Sequence, residues 1–226
     1  MLTRIARSYI TAVAGAGAIV LGTALHELHI ADPALFSILA LLSLIGAGLK
    51  IRVPGVNGNV SLSFLPMILG SVLLSWPEAV LIAATATLAQ ATVFAKKFKA
   101  VQAAFNCGAI ILSIASACVA GRVVAEQHVP LIQLALAGCV FYVTNSVIVT
   151  TVIGLAENKA VQEIWNDCCR LYLPYFGAGL ACALVAFSGA TPDERRTMQH
   201  PGLVLLPVML LTRHYFKTFL ARTAVR

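Results

Sequence analysis

The chain has 226 residues, of which 59% are hydrophobic and 11% are charged. Soluble globular proteins carry about 25% charged residues, so this composition excludes a soluble domain and indicates an integral membrane protein. At about 20 residues per spanning helix, the length allows up to eight spans and no separate soluble domain. The net charge of +7 does not require nucleic acid, because the placement of basic residues between loops accounts for it.

Hydropathy divides the chain into eight candidate spans. They cover about residues 8–26, 34–49, 60–75, 79–95, 103–121, 131–155, 171–188 and 203–219. With the N-terminus in the cytoplasm, every Lys and Arg except Arg122, Arg195 and Arg196 falls on the cytoplasmic side, as the positive-inside rule requires. We therefore predict a single all-α domain over 1–226. It would be a polytopic helical bundle of the bacterial inner membrane with both termini in the cytoplasm.

The first span contains the small-residue run AVAGAGA at 12–18. The start of the chain is similar in composition to a secretory signal peptide, but its apolar run exceeds the usual length of about 7–15 residues. We interpret it as a retained span. Small residues let helices approach closely in lipid. This pattern favours packing within the bundle, and the alternative is that Ala14 and Ala18 dock a partner membrane protein.

A polar, turn-rich segment, RVPGVNGNVSLSFLP, lies at 52–66 between spans two and three. Pro54-Gly55 suits the centre of a type II turn, and Asn57-Gly58 suits a type I′ turn. The residues from Val60 to Phe64 then alternate between apolar and polar with a period of two, which is not helical. Irregular backbone at membrane depth must be buried in protein or line a cavity. The segment is thus either a plain cytoplasmic turn or an irregular entry into span three that presents polar side chains to a pocket.

Later spans carry uncharged polar residues at membrane depth. Gln90 lies in span four, Asn106 opens span five, and Tyr142 and Asn145 share a face of span six. In hydrocarbon such groups need partners, so they either join helices or line a site. No span has a carboxylate near its middle, which argues against an ion-coupled transporter. Segment 157–170 is predicted to be an amphipathic helix at the inner membrane surface.

Residues 51–91 contain a G-x-V-(S/T)-L-x-F-x-P run followed by a small-residue helix. This region resembles the first half of the substrate-capturing S components of energy-coupling-factor vitamin transporters. The chain is still more similar to the vitamin-uptake-like membrane sensor regions found N-terminal to GGDEF or HD-type phosphodiesterase domains in bacteria. There a basic pair and an LFN element open the next helix, as Lys96-Lys97 and the AFN ending at Asn106 do here. An aromatic-x-x-Asn element follows, here Tyr142 to Asn145, and then an LPY element, here 173–175.

The resemblance implies an S-component-like bundle that surrounds one small polar or aromatic ligand. Because the sequence has no paired Cys/His metal spacing, no metal or cofactor is expected. It directs attention to the polar residues of the turn segment and of spans four to seven. The candidate ligand-binding residues are Asn57, Asn59, Ser61, Ser63, Gln90, Asn106, Tyr142, Asn145 and Tyr175. Taken from the residues alone, each side chain could instead join two helices.

We predict a sensory or ligand-binding module that passes a small-molecule or membrane signal through its last span to a cytoplasmic signalling partner or a second copy. The alternative is an S component that hands a vitamin-like solute to ATP-driven coupling subunits. No enzyme activity is expected, because the sequence lacks the GxxxxGK[ST], HExxH and GxSxG motifs that carry phosphate, zinc and nucleophile chemistry. It also ends at Arg226, where a sensor of the family it resembles would begin its output domain.

Overall fold

The computed structural model describes residues 4–52, 59–95, 97–123, 130–157, 159–166, 173, 176–177, 179–181 and 205–214. Its main helices are α1 (Arg4–His26), α2 (Pro33–Gly48), α3 (Phe64–Leu73), α4 (Trp76–Thr92), α5 (Ala100–Val123) and α6 (Pro130–Glu157). An antiparallel hairpin of β1 (Lys50–Arg52) and β2 (Asn59–Ser61) joins α2 to α3. Residues 161–166 and 205–214 are also helical. The fold is mainly helical, as predicted, and the two short strands are a departure from an all-α chain.

Three of the described helices are long and apolar enough to cross a membrane. They are Arg4–His26, Ala100–Val123 and Leu131–Glu157, and two shorter apolar helices, Pro33–Gly48 and Phe64–Leu73, accompany them. The ten residues of α3 extend about 15 Å at 1.5 Å per residue, about half of the roughly 30 Å hydrocarbon core. The stretch predicted as one span over 60–75 is therefore a strand followed by a short helix. The predicted spans 171–188 and 203–219 lie largely outside the described residues.

The short helix α3 lies at the centre of the bundle. Its residues from Phe64 to Ser71 are all buried, and it contacts α2, α4, α5 and α6. Isolated helices shorter than about 12–15 residues are marginal in water, so tertiary packing must stabilise this one. A helix that is apolar on every side is typical of a core position.

The turn between α3 and α4 is fixed by a buried carboxylate. Glu78, in the first turn of α4, is 1% exposed. Its Oε2 accepts the Ser75 main-chain N–H at 2.9 Å and the Ser75 hydroxyl at 2.6 Å. Pro77, at the start of α4, has a fixed φ angle that suits a helix. It lacks a main-chain N–H at a position where a helix has no internal acceptor for one. Together these groups begin α4 immediately after the ten-residue α3.

Helices α1 and α5 touch through their backbones. A Cβ atom on Gly17 would overlap the Cα of Gly108, and one on Gly108 would lie 2.5 Å from the carbonyl oxygen of Val13. The rings of Tyr9 and Phe105 pair nearby, with centroids 6.4 Å apart. Tyr9 thus pairs with Phe105, and the later residue Gly17 pairs with the later residue Gly108. Helices α1 and α5 therefore run parallel.

Further contacts fix the two ends of the bundle. At one end, the Tyr9 hydroxyl of α1 donates to the Ile148 carbonyl of α6 at 3.3 Å. At the other, Trp76 Nε1 of α4 donates to Glu27 Oε2, just after α1, at 3.2 Å. The first end carries the basic residues Arg4, Arg7, Lys50, Lys97 and Lys99, whereas Arg122 closes α5 at the second.

Candidate functional site

Four polar residues meet where the hairpin enters α3, and we name this group, Lys50, Ser61, Ser63 and Gln90, the polar junction. Ser61 Oγ lies 2.7 Å from Ser63 Oγ and donates to Gln90 Oε1 at 3.1 Å. Strand β2 ends at Ser61, and the chain turns at Leu62 and Ser63 before α3 begins. The turn brings the two serine hydroxyls together, while the Leu62 side chain is fully buried. The polar alternation at 60–64 thus marks an irregular entry into a helix.

Lys50 anchors the other strand of the hairpin to the same place. Its Nζ donates to the main-chain oxygens of Gln90 at 3.1 Å and Phe94 at 2.7 Å. The last carbonyls of a helix lack internal partners and favour a cation. Burial lowers the pKa of the Lys50 ammonium below its ordinary value. Since the folded protein then releases this proton before the unfolded chain does, the contribution of Lys50 to the free energy of unfolding increases as the pH rises through the lowered pKa.

Gly46 of α2 lies close to both the polar junction and the helical segment 205–214. A Cβ atom on Gly46 of α2 would lie 2.7 Å from the Ser63 main-chain nitrogen and 2.8 Å from Met209 Cε. Met209 is fully buried. The missing side chain at Gly46 therefore lets α2, the start of α3 and the 205–214 helix meet at a single place.

An aromatic cluster adjoins the polar junction, and we define it as Phe64, Phe141, Tyr142 and Phe176. The Phe176 ring stacks on Phe64 at a centroid distance of 5.1 Å and on Phe141 at 6.2 Å. It meets Tyr142 in a tilted arrangement at 5.0 Å. Because Phe64 directly follows Ser63, aromatic and hydrogen-bonding groups lie side by side at the start of α3.

A family model of MASE9 domains matches residues 28–188, a range that includes the polar junction and the aromatic cluster. The chain belongs to the MASE9 family. MASE9 domains are membrane-associated sensor domains, which confirms the expectation of a membrane sensor region. Comparison with curated proteins and with solved structures finds no match.

The MASE9 domain brings together three of the predicted ligand-binding residues. Ser61, Ser63 and Gln90 are joined by hydrogen bonds, although they come from two elements separated by α3. Tyr142 is half-buried in the adjoining aromatic cluster. The three hydrogen-bonded residues lie at the start of α3, and Tyr142 is connected to this place through the rings of Phe176 and Phe64.

The remaining predicted residues do not join this group. Asn106 and Asn145 are half-buried on α5 and α6, and among the described residues no hydrogen bond links them to the polar junction. Asn59 lies in β2, where it is the register partner of Arg52. Asn57 and Tyr175 lie outside the described residues.

Several residues of the site were not singled out from the sequence. They are Gly46, Lys50, Phe64, Phe141 and Phe176. Lys50 was counted only as a basic residue of the inner face, and the phenylalanines are indistinguishable from ordinary core residues in an apolar sequence. Lys50 has a role in the site only because it lies close to the C-terminal end of α4 in the folded protein. A single sequence does not show which residues are close in space.

On one face of α1, the small residues pack against α5 within the same chain. Ala14 is half-buried, and its Cα would lie 3.0 Å from a Cβ on Gly108. Ala18 is exposed, and nothing lies within 4 Å of a Cβ on Gly15 or Gly22. The docking role of Ala18 stays a prediction, while Ala14 is engaged against α5.

The chemistry that the site offers is hydrogen bonding and ring stacking. Ser61, Ser63 and Gln90 supply hydroxyl and amide groups that both donate and accept, and the aromatic rings supply flat apolar surfaces. Among the described residues no group of three or more His, Cys, Asp or Glu side chains is placed to hold a metal ion. This combination suits an uncharged molecule with a planar part and a polar edge.

Proposed function

We propose that this MASE9 domain is a multi-pass sensor of the bacterial inner membrane that binds a small ligand at the polar junction and passes the signal to a cytoplasmic partner through helix 205–214. The packing at Gly46 carries the proposal, since Ser63 of the polar junction and Met209 of the helix both pack against this glycine. No catalytic reaction is assigned to the domain.

The mechanism is a shift between two packings of the bundle. A ligand changes such an equilibrium by the difference in its affinity for the two states. Ser63 and Met209 both pack against Gly46 of α2. Protein interiors are close-packed, so a movement of the Ser63 backbone can be passed to Met209 through α2. Small shifts of packed helices at such points are a known route for transmitting a signal.

The distribution of charge supports a topology with the basic end in the cytoplasm. Arg4, Arg7, Lys50, Lys97 and Lys99 lie at the end of the bundle that holds the hairpin, and positive residues favour the cytoplasmic side. We propose eight spans with both termini on that side. The polar junction would then be a site near the inner surface.

Native mass spectrometry tests the ligand. The protein is extracted gently from its host membrane, and we expect a retained small-molecule mass that is lost in Gln90→Leu. Thr85→Val is the matched control, because Thr85 is exposed on the same helix and bonds only carbonyls of its own turn. Wild-type protein that carries only lipids would overturn the ligand part of the proposal.

Spin labels test the transmission. Labels at Leu211 and Leu88, which are both exposed, report the distance between helix 205–214 and α4. We expect this distance to change between ligand-loaded and stripped protein, and Met209→Ala to reduce the change without abolishing binding. An unchanged distance in the wild type would remove helix 205–214 from the signalling path.

The exposed face of α1 favours a second candidate function, that of an S component in a vitamin transporter. The face at Gly15, Ala18 and Gly22 is open, and small residues allow a partner helix to approach closely. Under this hypothesis the chain co-purifies with ATP-driven coupling subunits, and Ala18→Leu releases them. Purification without such subunits would leave the sensor as the better account.

A further inference from the structure

The connection between α4 and α5 exposes large apolar side chains and lysines together. Val93 is 73% exposed, Phe98 61% and Val101 60%, and the neighbouring Lys97 and Lys99 are exposed as well. The sequence from 93 to 101 contains no Asp or Glu, and among the described residues neither of these lysines forms an ion pair. We name the described residues of this stretch, 93–95 and 97–101, the basic loop.

The basic loop has a fixed place beside the hairpin. Lys50 Nζ donates to the Phe94 main-chain oxygen at 2.7 Å. A Cβ atom on Gly48 of α2 would lie 3.1 Å from the Phe94 ring, so this ring packs against the end of α2. At the other end of the loop, the Lys99 carbonyl accepts the Ala103 main-chain N–H and thereby begins α5. The surface is therefore held by three neighbouring elements.

The basic loop lies at the end of a spanning helix. Helix α5 is long and apolar enough to cross a membrane, so the residues directly before Ala100 lie near the membrane surface. Exposed apolar groups such as the Phe98 ring are unfavourable in water, and a lysine ammonium is costly in hydrocarbon. Only the headgroup layer satisfies both kinds of side chain, with the rings below and the charged groups above.

The charge of the basic loop selects one kind of headgroup. An ammonium group donates hydrogen bonds and accepts none, so Lys97 and Lys99 complement a phosphate that carries no compensating cation. The turn at the opposite end of α4 differs in this respect, because residues 73–79 contain no Lys or Arg and include Glu78. The complementarity to anionic lipid is thus specific to one end of the helix.

We infer that the basic loop is a docking surface for anionic phospholipid headgroups, which Lys97 and Lys99 bind through phosphate while Phe98 inserts into the apolar layer below. This inference goes beyond the proposed function, because the surface binds lipid whether or not the polar junction holds a ligand. Through Phe94 and Lys50 the bound lipid lies next to the hairpin.

Native mass spectrometry with defined lipids tests the surface. The full chain in detergent is titrated with phosphatidylglycerol or with phosphatidylcholine of the same acyl chains, and the dissociation constant of the first bound lipid is measured. We expect phosphatidylglycerol to bind at least tenfold more tightly. Each lysine near an anionic surface contributes about fivefold, so the double variant Lys97→Gln, Lys99→Gln should lose about 25-fold in phosphatidylglycerol binding and nothing in phosphatidylcholine binding.

Arg4→Gln with Arg7→Gln is the matched control. These arginines are also exposed at the basic end of the bundle, but they belong to α1, so their removal should weaken phosphatidylglycerol binding by less than threefold. A loss equal to that of the lysine pair would identify a general field of the basic end and overturn the docking surface.

The apolar part has its own pair of variants. Phe98→Ser should weaken the binding of both lipids several-fold, whereas Val119→Ser, which is 64% exposed near the opposite end of α5, should weaken neither. Unchanged phosphatidylglycerol binding in the lysine variant would overturn the inference and would favour a protein partner for the exposed rings. The measurement needs no retained small molecule, so such a failure would leave the proposed function unaffected.

Discussion

At the scale of single residues, Gln90 holds both strands of the hairpin to α4 through different groups. Its main-chain oxygen accepts from Lys50 and its side-chain oxygen from Ser61. One bond of this kind contributes about 0.5–1.5 kcal/mol. The pair of bonds fixes the point at which the chain leaves the strand and begins α3.

A double-mutant cycle on Ser61→Ala and Gln90→Leu should show coupling. Each substitution alone removes the same side-chain bond, so we expect the double variant to be less destabilised than the sum of the two, by about 0.5–1.5 kcal/mol. Equilibrium unfolding of the four proteins in detergent measures this coupling free energy. Thr85→Ala with Gln90→Leu is the control pair. Strict additivity of Ser61 and Gln90 would contradict the hydrogen bond.

Single residues were predictable when polarity set them apart from apolar surroundings. Ser61, Ser63, Gln90 and Tyr142 were singled out by their polarity together with the family resemblance. The first three are joined by hydrogen bonds and Tyr142 lies in the aromatic cluster, whereas the equally polar Asn106 and Asn145 do not join them. Phe176 could not be found in this way, because a phenylalanine in a membrane sequence carries no distinguishing signal. Its role depends on ring positions contributed by α3 and α6.

At the scale of elements, the crossing of α1 and α5 depends on glycine. The Gly17 and Gly108 backbones are in contact, whereas the environment of Gly15 is open. Two glycines two positions apart on one helix therefore have opposite environments. The sequence run AVAGAGA indicated close packing but did not indicate which small residues would be inside.

Gly17→Ala should destabilise the protein and Gly15→Ala should not. The added methyl at position 17 meets backbone atoms that cannot rotate away, and overpacking costs about 1–3 kcal/mol. At position 15 alanine favours the helix by up to about 1 kcal/mol. Thermal unfolding of both variants measures the difference. Equal unfolding temperatures would show that the two helices do not cross at Gly17.

Elements were predicted well where the apolar run was long and less well where it was interrupted. Helices α1, α5 and α6 lie within a few residues of the predicted spans. The 60–75 stretch was predicted as a single span, although its alternation of period two was visible. The ten-residue helix α3 is stable there because it packs at the centre of the bundle. Hydropathy alone does not distinguish the residues of an apolar run that form a strand from those that form a helix.

At the scale of the whole molecule, charge separates the two ends of the bundle. Lys97 and Lys99 lie near the hairpin end, and His29 follows α1 at the opposite end; all three are exposed. A positive end attracts the anionic lipids of the cytoplasmic leaflet. This asymmetry supports one orientation of the MASE9 domain in the membrane.

Cysteine labelling in intact cells tests that orientation. In a variant without native cysteines, His29→Cys should react with a membrane-impermeant maleimide, and Lys97→Cys should react only after permeabilisation. Arg122→Cys, at the same end as His29, provides an independent position. Labelling of Lys97→Cys in intact cells would reverse the proposed topology.

The backbone contact between α1 and α5 also bears on how the domain can be transplanted. The family match begins at residue 28, after α1 has ended, yet α1 covers the backbone of Gly108. A chimeric receptor assembled from the matched range alone would leave that glycine bare to lipid. Fusion designs should therefore retain the chain from Arg4 onward, so that the sensor keeps α1, the helix that packs against Gly108 of α5.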